Sequence, residues 1–294
     1  FEFQCLFVTA EKPKIGLFVT LASGFANMIL DAVLVMVFEW KVAGAAVATV
    51  VSMLVGGIIP LFYFGRKNRS LLKLTRCGFD KSVLFKTCTN GSSEFLSNVS
   101  TSFVSMLYNL QLMKYAGEDG VSAYGVLMYV AMIFQAIFIG YSVGAAPVVG
   151  YNFGAQNKEE LRNVLRRSLV IIGIAAFLMF GEGELLSRPL AMLFVGYDAA
   201  LMEMTDHAFR IFSFSFLMCG FTIYTSSFFT ALNDGLISAL VSILRTLVFQ
   251  VICVIVFPLI WKLDGIWISI VAAEVMAIVF SFVFLKIKRG KYGY

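Results

Sequence analysis

Charge is scarce in this chain: Asp, Glu, Lys and Arg make up 14% of its 294 residues, where a soluble domain carries about a quarter. Histidine is nearly absent, with His207 alone, so no His-rich metal centre can form. The five cysteines (Cys5, Cys77, Cys88, Cys219 and Cys253) contain no CxxC pair, and neither zinc nor a disulfide framework is expected. No phosphate-binding GxxxxGK[ST] loop and no GxGxxG fingerprint occurs, which argues against direct use of ATP or NAD. The chain is therefore not read as an enzyme, and no bound cofactor is expected.

What is present is apolar. Hydrophobic residues make up 60% of the chain and the mean hydropathy is +0.87. Such a composition leaves too little polar surface to cover a water-soluble core, so the solvent for most of the chain is lipid. Residues 1–10 read as the end of a membrane helix, closed by the polar turn Glu11–Lys14. Eight complete spans then follow, at about 15–38, 42–64, 89–113, 121–151, 164–186, 206–231, 236–260 and 264–285. At 1.5 Å per residue each is long enough for a hydrocarbon core about 30 Å thick. Between them, residues 65–88 carry seven basic residues and are expected to hold a short surface helix.

The basic residues set a topology. The connections at 11–14, 65–88, 152–167 and 286–294 carry 2, 7, 4 and 4 Lys or Arg, which is 17 of the 23, while the intervening connections carry one apiece. By the positive-inside rule the first set and the C-terminal segment face the cytosol. These basic runs are the cytosolic side of a membrane protein and not a nucleic-acid patch, so no nucleic-acid partner is expected. Trp40, Trp261 and Trp267 fall near the opposite boundary, where amphipathic rings tend to sit.

A faint repeat is visible. A shift of 219 residues sets Gly16 on Gly235 and Ser23 on Ser242; after a two-residue slip, Trp40-Lys41-x-x-Gly44 falls on Trp261-Lys262-x-x-Gly265. If this is a true repeat, a six-helix unit recurs in parallel, as transporter halves can. The first unit then lacks its opening four helices. Phe1 already lies in apolar sequence, which fits a late start.

The segment Tyr141–Ser168 organises the chain. It runs from small-residue helix through Gly144, Pro147, Gly150, Asn152 and Gly154 into a basic amphipathic stretch. With the preceding residues from Gly117, it resembles the second-lobe signature of the multidrug and toxin extrusion (MATE) family, in its bacterial multidrug efflux branch. Asn27-x-x-x-Asp31 with Gly44-Ala45-Ala46-x-Ala48-Thr49 resembles the family's fifth and sixth helices, and Ala231-Leu232-Asn233 followed by Arg245 its tenth and eleventh. The resemblance implies an all-α, polytopic membrane protein with a two-lobe transporter fold, here with an incomplete first lobe. It divides the chain into the remainder of the first lobe (1–64), a cytosolic interlobe connection (65–88) and a second six-helix lobe (89–294). It also implies a monomer in the bacterial plasma membrane that exports small cationic or amphipathic organic substrates in exchange for Na⁺ or H⁺, the transported ion taking the place of a cofactor. A lipid-linked saccharide flippase and an inactive fragment or scaffold are the rival readings. A flippase cleft would need several basic residues for a pyrophosphate, whereas Arg245 stands alone at mid-span.

Individual residues sharpen these expectations. Glu94, Asn98, Thr101, Ser105 and Asn109 recur at steps of 4, 3, 4 and 4, on one helix face. Such a stripe is expected to meet protein or a water-filled cleft. Glu94, which matches the family's seventh-helix acid, is a candidate to hold a proton or help bind Na⁺ with Asn98 and Asn109. The alternative is a carboxylate that faces water or Lys86. Asp31 either joins the coupling set or ties its helix to a neighbour, and Ala32 replaces the family's usual proline, so any local break should be weaker. Thr222 and Ser226 stand where some members have a tenth-helix acid. With Asn27, Thr101, Ser105 and Tyr108 they are candidate cleft residues. Arg245 and Glu274 lie at equal depth on adjacent helices and are expected to pair, structurally or as a gate. Gly144 and Pro147 either let their span bend or provide a small face for packing.

Overall fold

A computed structural model describes residues 2–66 and 78–294. It divides into two compact units, Phe1–Asp80 and Lys81–Tyr294. The first unit comprises α1 (Glu2–Thr9), α2 (Pro13–Asp31), a π-helical continuation (Ala32–Val37) and α3 (Lys41–Gly65). The second comprises α4 (Lys81–Gly154), α5 (Lys158–Val195), α6 (Ala199–Ser213), α7 (Phe216–Ala231), α8 (Gly235–Ile243), a second π-helical segment (Leu244–Val248) and α9 (Phe249–Tyr292). Every element among the described residues is helical.

Five helices are long and apolar enough to cross a membrane, or six if α6 and α7, bent by 51° at their junction, form one broken span. Two of these are double. α4 reverses at Gly117, whose φ of 64° a glycine adopts without steric cost, and α9 reverses at Lys262. Splitting them there yields the eight crossings that the apolar runs predict. The outward surface agrees with lipid as solvent, since large apolar side chains such as Phe18, Leu185 and Leu193 are 77–80% exposed.

The surface helix expected within 65–88 would fall at residues 67–77, outside the described residues. The connection is shorter than expected, because Lys81 already opens α4. The start of that helix is not apolar, which is why a hydropathy window misses it. Trp40 and Trp261 are half exposed, as boundary rings should be. Trp267 is not: it is fully buried among the core rings of the second unit, so its role is packing. At Asp31 the helix does not break but widens into a π turn from Ala32 onward. That is a milder deviation than a proline would impose.

The repeat has a structural counterpart. Lys41 and Lys262 both take positive φ, 48° and 50°, and each is followed three residues on by a glycine pressed against the preceding helix. A methyl group on Gly44 would come within 3.0 Å of the Leu34 backbone, and one on Gly265 would clash with the Phe257 carbonyl oxygen. The Trp-Lys-x-x-Gly signature is therefore the sequence of a tight corner used twice.

Helix starts are capped by side chains. Asn157 accepts from the Glu160 amide, Asp198 from the Ala200 and Leu201 amides, and Asp234 from the Ile237 amide. Asp234 does more than cap. It also accepts a hydrogen bond from the Tyr292 hydroxyl and lies 3.5 Å from Lys291 Nζ, which ties the start of α8 to the end of α9. Burial alone would push its carboxyl up, but the bonds from Tyr292 and the Ile237 amide, with Lys291 beside them, outweigh this and hold it below 3.8.

Two outcomes follow. Gly265→Ala lowers stability by about 1–3 kcal/mol or more in thermal unfolding, whereas Gly125→Ala, with nothing within 4 Å of the new methyl, does not destabilise. Because the folded Asp234 value is depressed, its stabilisation is complete above the ordinary carboxylate value and is lost as pH falls through the folded one. Tyr292→Phe removes about 1–2 kcal/mol at neutral pH, and the difference between the two proteins shrinks in melts taken below pH 3.8.

Candidate functional site

The second unit forms a partly open cavity of about 130 Å³, and a single helix face supplies one wall of it. Thr101, Ser105 and Tyr108 recur at steps of four and three along α4 before its break, so their side chains stack on one stripe. Tyr124 and Gln135 reach the cavity from the limb after the break, Ser215 from the α6–α7 junction, and Glu274 from α9. Arg245, Thr246 and Gln250 form the remaining polar edge.

Two polar networks hold this space. In the first, Arg245 Nε donates to both Glu274 oxygens at 3.0 and 3.1 Å. Thr222 Oγ1 lies 3.4 Å from Glu274 Oε2 and donates to the Cys219 carbonyl. The pair is almost fully removed from solvent, with side chains 14% and 7% exposed, so neither charge has water as an alternative partner. In the second, the Tyr108 hydroxyl donates to Gln250 Oε1 at 2.7 Å and lies 2.9 Å from Ser269 Oγ, while its ring stacks on Tyr124 with centroids 5.4 Å apart. Tyr108 is thereby fixed at the cavity wall, with its ring buried.

The expected residues divide into groups. Thr101, Ser105, Tyr108, Arg245 and Glu274 are brought together around the cavity, and Thr222 joins through Glu274. Glu94 and Asn98 lie on the same helix but are exposed, with Asn98 Nδ2 donating to the Glu94 carbonyl at 2.8 Å; they do not line the cavity, nor does half-buried Asn109. Asn27 and Asp31 belong to the first unit, where both are half-buried and Asp31 Oδ1 is buried with no hydrogen-bond partner among the described residues. Ser226 is drawn elsewhere. It lies 3.0 Å from Ser238 Oγ and 2.7 Å from Ser242 Oγ in a buried hydroxyl cluster that fastens α7 to α8. α4 passes Gly144 and Pro147 without a break, and Gly144 has open space where a methyl would lie, so it does not provide a close-packed face.

Sequence reasoning misses Gln250, Ser269 and Tyr124. Gln250 is the instructive case: in a regular helix it points about 140° away from Arg245, and only the π-helical segment Leu244–Val248 returns it to the same side. A buried Ser213 bonded to Glu184, between α6 and α5, also escapes notice.

A polytopic α-helical bundle with a buried ion pair and a polar cavity defines a class of integral membrane protein. Among the described residues no group of three or more His, Cys, Asp or Glu could hold a metal ion. The chain belongs to the MatE family, whose model matches residues 95–256; that family is one of membrane transporters. It is 24% identical over 269 residues to the multidrug export protein MepA of Staphylococcus aureus, covering 90% of this chain and 58% of the relative. It is 25% identical to MepA of Staphylococcus saprophyticus, covering 87% and 54%. Among solved structures, the fold matches an outward-facing multidrug resistance MATE transporter of the MOP superfamily with a TM-score of 0.90 at 22% identity, covering 96% of this chain and 64% of that one. A MOP superfamily transporter from Pyrococcus furiosus matches with the same TM-score, identity and coverage. The chain thus spans somewhat over half the length of the curated relatives it matches.

The pair yields a direct test of its energetics. Arg245→Ala leaves the Glu274 carboxylate buried without a partner and costs about 3–5 kcal/mol, and adding Glu274→Ala recovers part of that loss in a double-mutant cycle read by thermal unfolding.

Proposed function

We propose that the protein is a secondary active antiporter that exports small amphipathic, often cationic, organic molecules across the bacterial plasma membrane in exchange for Na⁺ or H⁺. The observation that carries this reading is the polar stripe of α4, which leads from exposed Glu94 and Asn98 through Thr101 and Ser105 into a cavity closed by a buried ion pair. A carboxylate at the open end of such a stripe can take up an ion from water. The polar groups further in can meet a solute without desolvation to hydrocarbon. Membership in the MatE family and the names of the staphylococcal relatives, both multidrug export proteins, support the same reading. The alternation of basic connections is consistent with a membrane protein whose 286–294 segment faces the cytosol in this reading.

In this reading Glu94 is the coupling acid of the second unit, assisted by Asn98 and Asn109, and Asp31 with Asn27 serves the first. The Arg245–Glu274 pair holds the cavity wall, and a monomer suffices. A flippase for lipid-linked pyrophosphates gains no support, since Arg245 is the only basic residue among the described residues that line the cavity.

The test is efflux of a fluorescent lipophilic cation from proteoliposomes containing the natural protein, with Na⁺ and proton gradients imposed separately. Glu94→Gln, reconstituted at equal density, is expected to lose gradient-driven efflux by about tenfold or more, a typical scale for removing a proton-transferring group. The effective gradient names the ion. A wild type that folds yet moves no cation under either gradient overturns the proposal.

A further inference from the structure

The cavity has a directional chemistry that a general multidrug cleft does not require. Arg245 uses only Nε on Glu274, and no described residue accepts a hydrogen bond from either of its Nη groups. Those donors belong to a side chain that lines the cavity and is 14% exposed. Gln250 adds to them: its Oε1 is occupied by the Tyr108 hydroxyl, which leaves Nε2 as the free end of an amide that also lines the cavity. Thr101 and Thr246, by contrast, spend their hydroxyl protons on the Ser97 and Ser242 carbonyls of their own helices. Gln135 and Ser215 also line the cavity with side-chain donors that no described residue accepts, but Arg245 alone among the described lining residues brings a cationic donor.

The backbone explains why both face one way. Positions five apart diverge by about 140° on a regular helix, but a π-helical turn places residue i over residue i+5. The segment Leu244–Val248, closed by a Phe249 amide bond to the Leu244 carbonyl, is such a turn. It brings the Arg245 and Gln250 side chains to the lining of the same cavity.

Resting on the transport reading above, we propose that this cavity is a recognition site for the carboxylate of a zwitterionic amphiphile, held in the Arg245 Nη fork and by Gln250 Nε2. A carboxylate matches the guanidinium edge with two parallel bonds. The Arg245–Glu274 pair is neutral as a whole, so a simple anion would bring an uncompensated charge into a low-dielectric site, whereas a zwitterion carries its own counter-charge.

The test compares a xanthene dye bearing a free carboxylate, a zwitterion, with its methyl ester, a cation of the same scaffold. Binding of each is measured by fluorescence anisotropy to the full chain in phosphatidylcholine nanodiscs, which supply no net anionic headgroup. The wild type is expected to bind the acid at least about tenfold more tightly than the ester, the scale of one charge-assisted hydrogen bond. Arg245→Lys keeps a cation beside Glu274 but loses the fork, and is expected to cut the acid-over-ester preference to about twofold or less. If this variant does not fold, Arg245→Gln combined with Glu274→Gln removes both charges and is expected to give the same loss. Equal affinity of the wild type for the two dyes, or a preference that survives loss of the fork, overturns the proposal while leaving the transport reading standing. Failure to bind either dye, joined to failure of cation efflux, overturns both.

Discussion

A guanidinium and a carboxylate inside an apolar helix bundle have no water to turn to, and that constraint explains much of the second unit. Arg245 and Glu274 must stay within 3.1 Å of each other because either alone would be stranded. Their helices, one entering through a π-helical turn and the other leaving after the reversal at Lys262, are therefore held at fixed depth. The tight corner at Gly265 fixes the return of the second helix, and the Asp234–Tyr292 bond fixes its far end against the start of the first.

The same economy governs the remaining polar groups. Hydroxyls of Thr101, Ser142, Thr205, Thr225 and Thr246 donate back to the carbonyl four residues earlier, the commonest way for a short polar side chain to satisfy itself in a membrane helix. Groups that do not fold back on their own helix make the interhelical contacts. Ser226, Ser238 and Ser242 fasten α7 to α8, and Tyr108 crosses to Gln250 and Ser269. The polar cavity survives where these crossings leave a gap that apolar packing does not fill. Its chemistry is set by donors that no neighbour has claimed.

The two units show how one signature can serve different surroundings. The Trp-Lys-x-x-Gly corner has the same left-handed lysine in both, yet Gly265 is pressed harder than Gly44. Both units also contain a π-helical stretch, after Asp31 in one and around Arg245 in the other. In each case a charged residue sits at or beside the widened turn. A π turn shifts the register of everything beyond it by about one residue, so it is a small backbone change that can redirect a side chain.

Hydropathy and the placement of Lys and Arg were sufficient to read the spans, because lipid imposes a length and an apolarity that no tertiary contact can waive. Equal depth sufficed for the Arg245–Glu274 pair, since a lone charge at mid-span would be intolerable. The polar stripe from Glu94 through Thr101 and Ser105 to Asn109 was legible from helical period alone, but of its members only Thr101 and Ser105 line the cavity. What the sequence could not carry was anything that depends on a departure from that period or on a neighbour far along the chain. The place of Gln250 beside Arg245 required the π turn, the diversion of Ser226 into a hydroxyl cluster required α8, and the burial of Trp267 required the packed core around it. Local pattern determines which residues a helix offers; only the packed bundle decides which of them meet, because facing positions are set by register and crossing, and neither is written in any one helix.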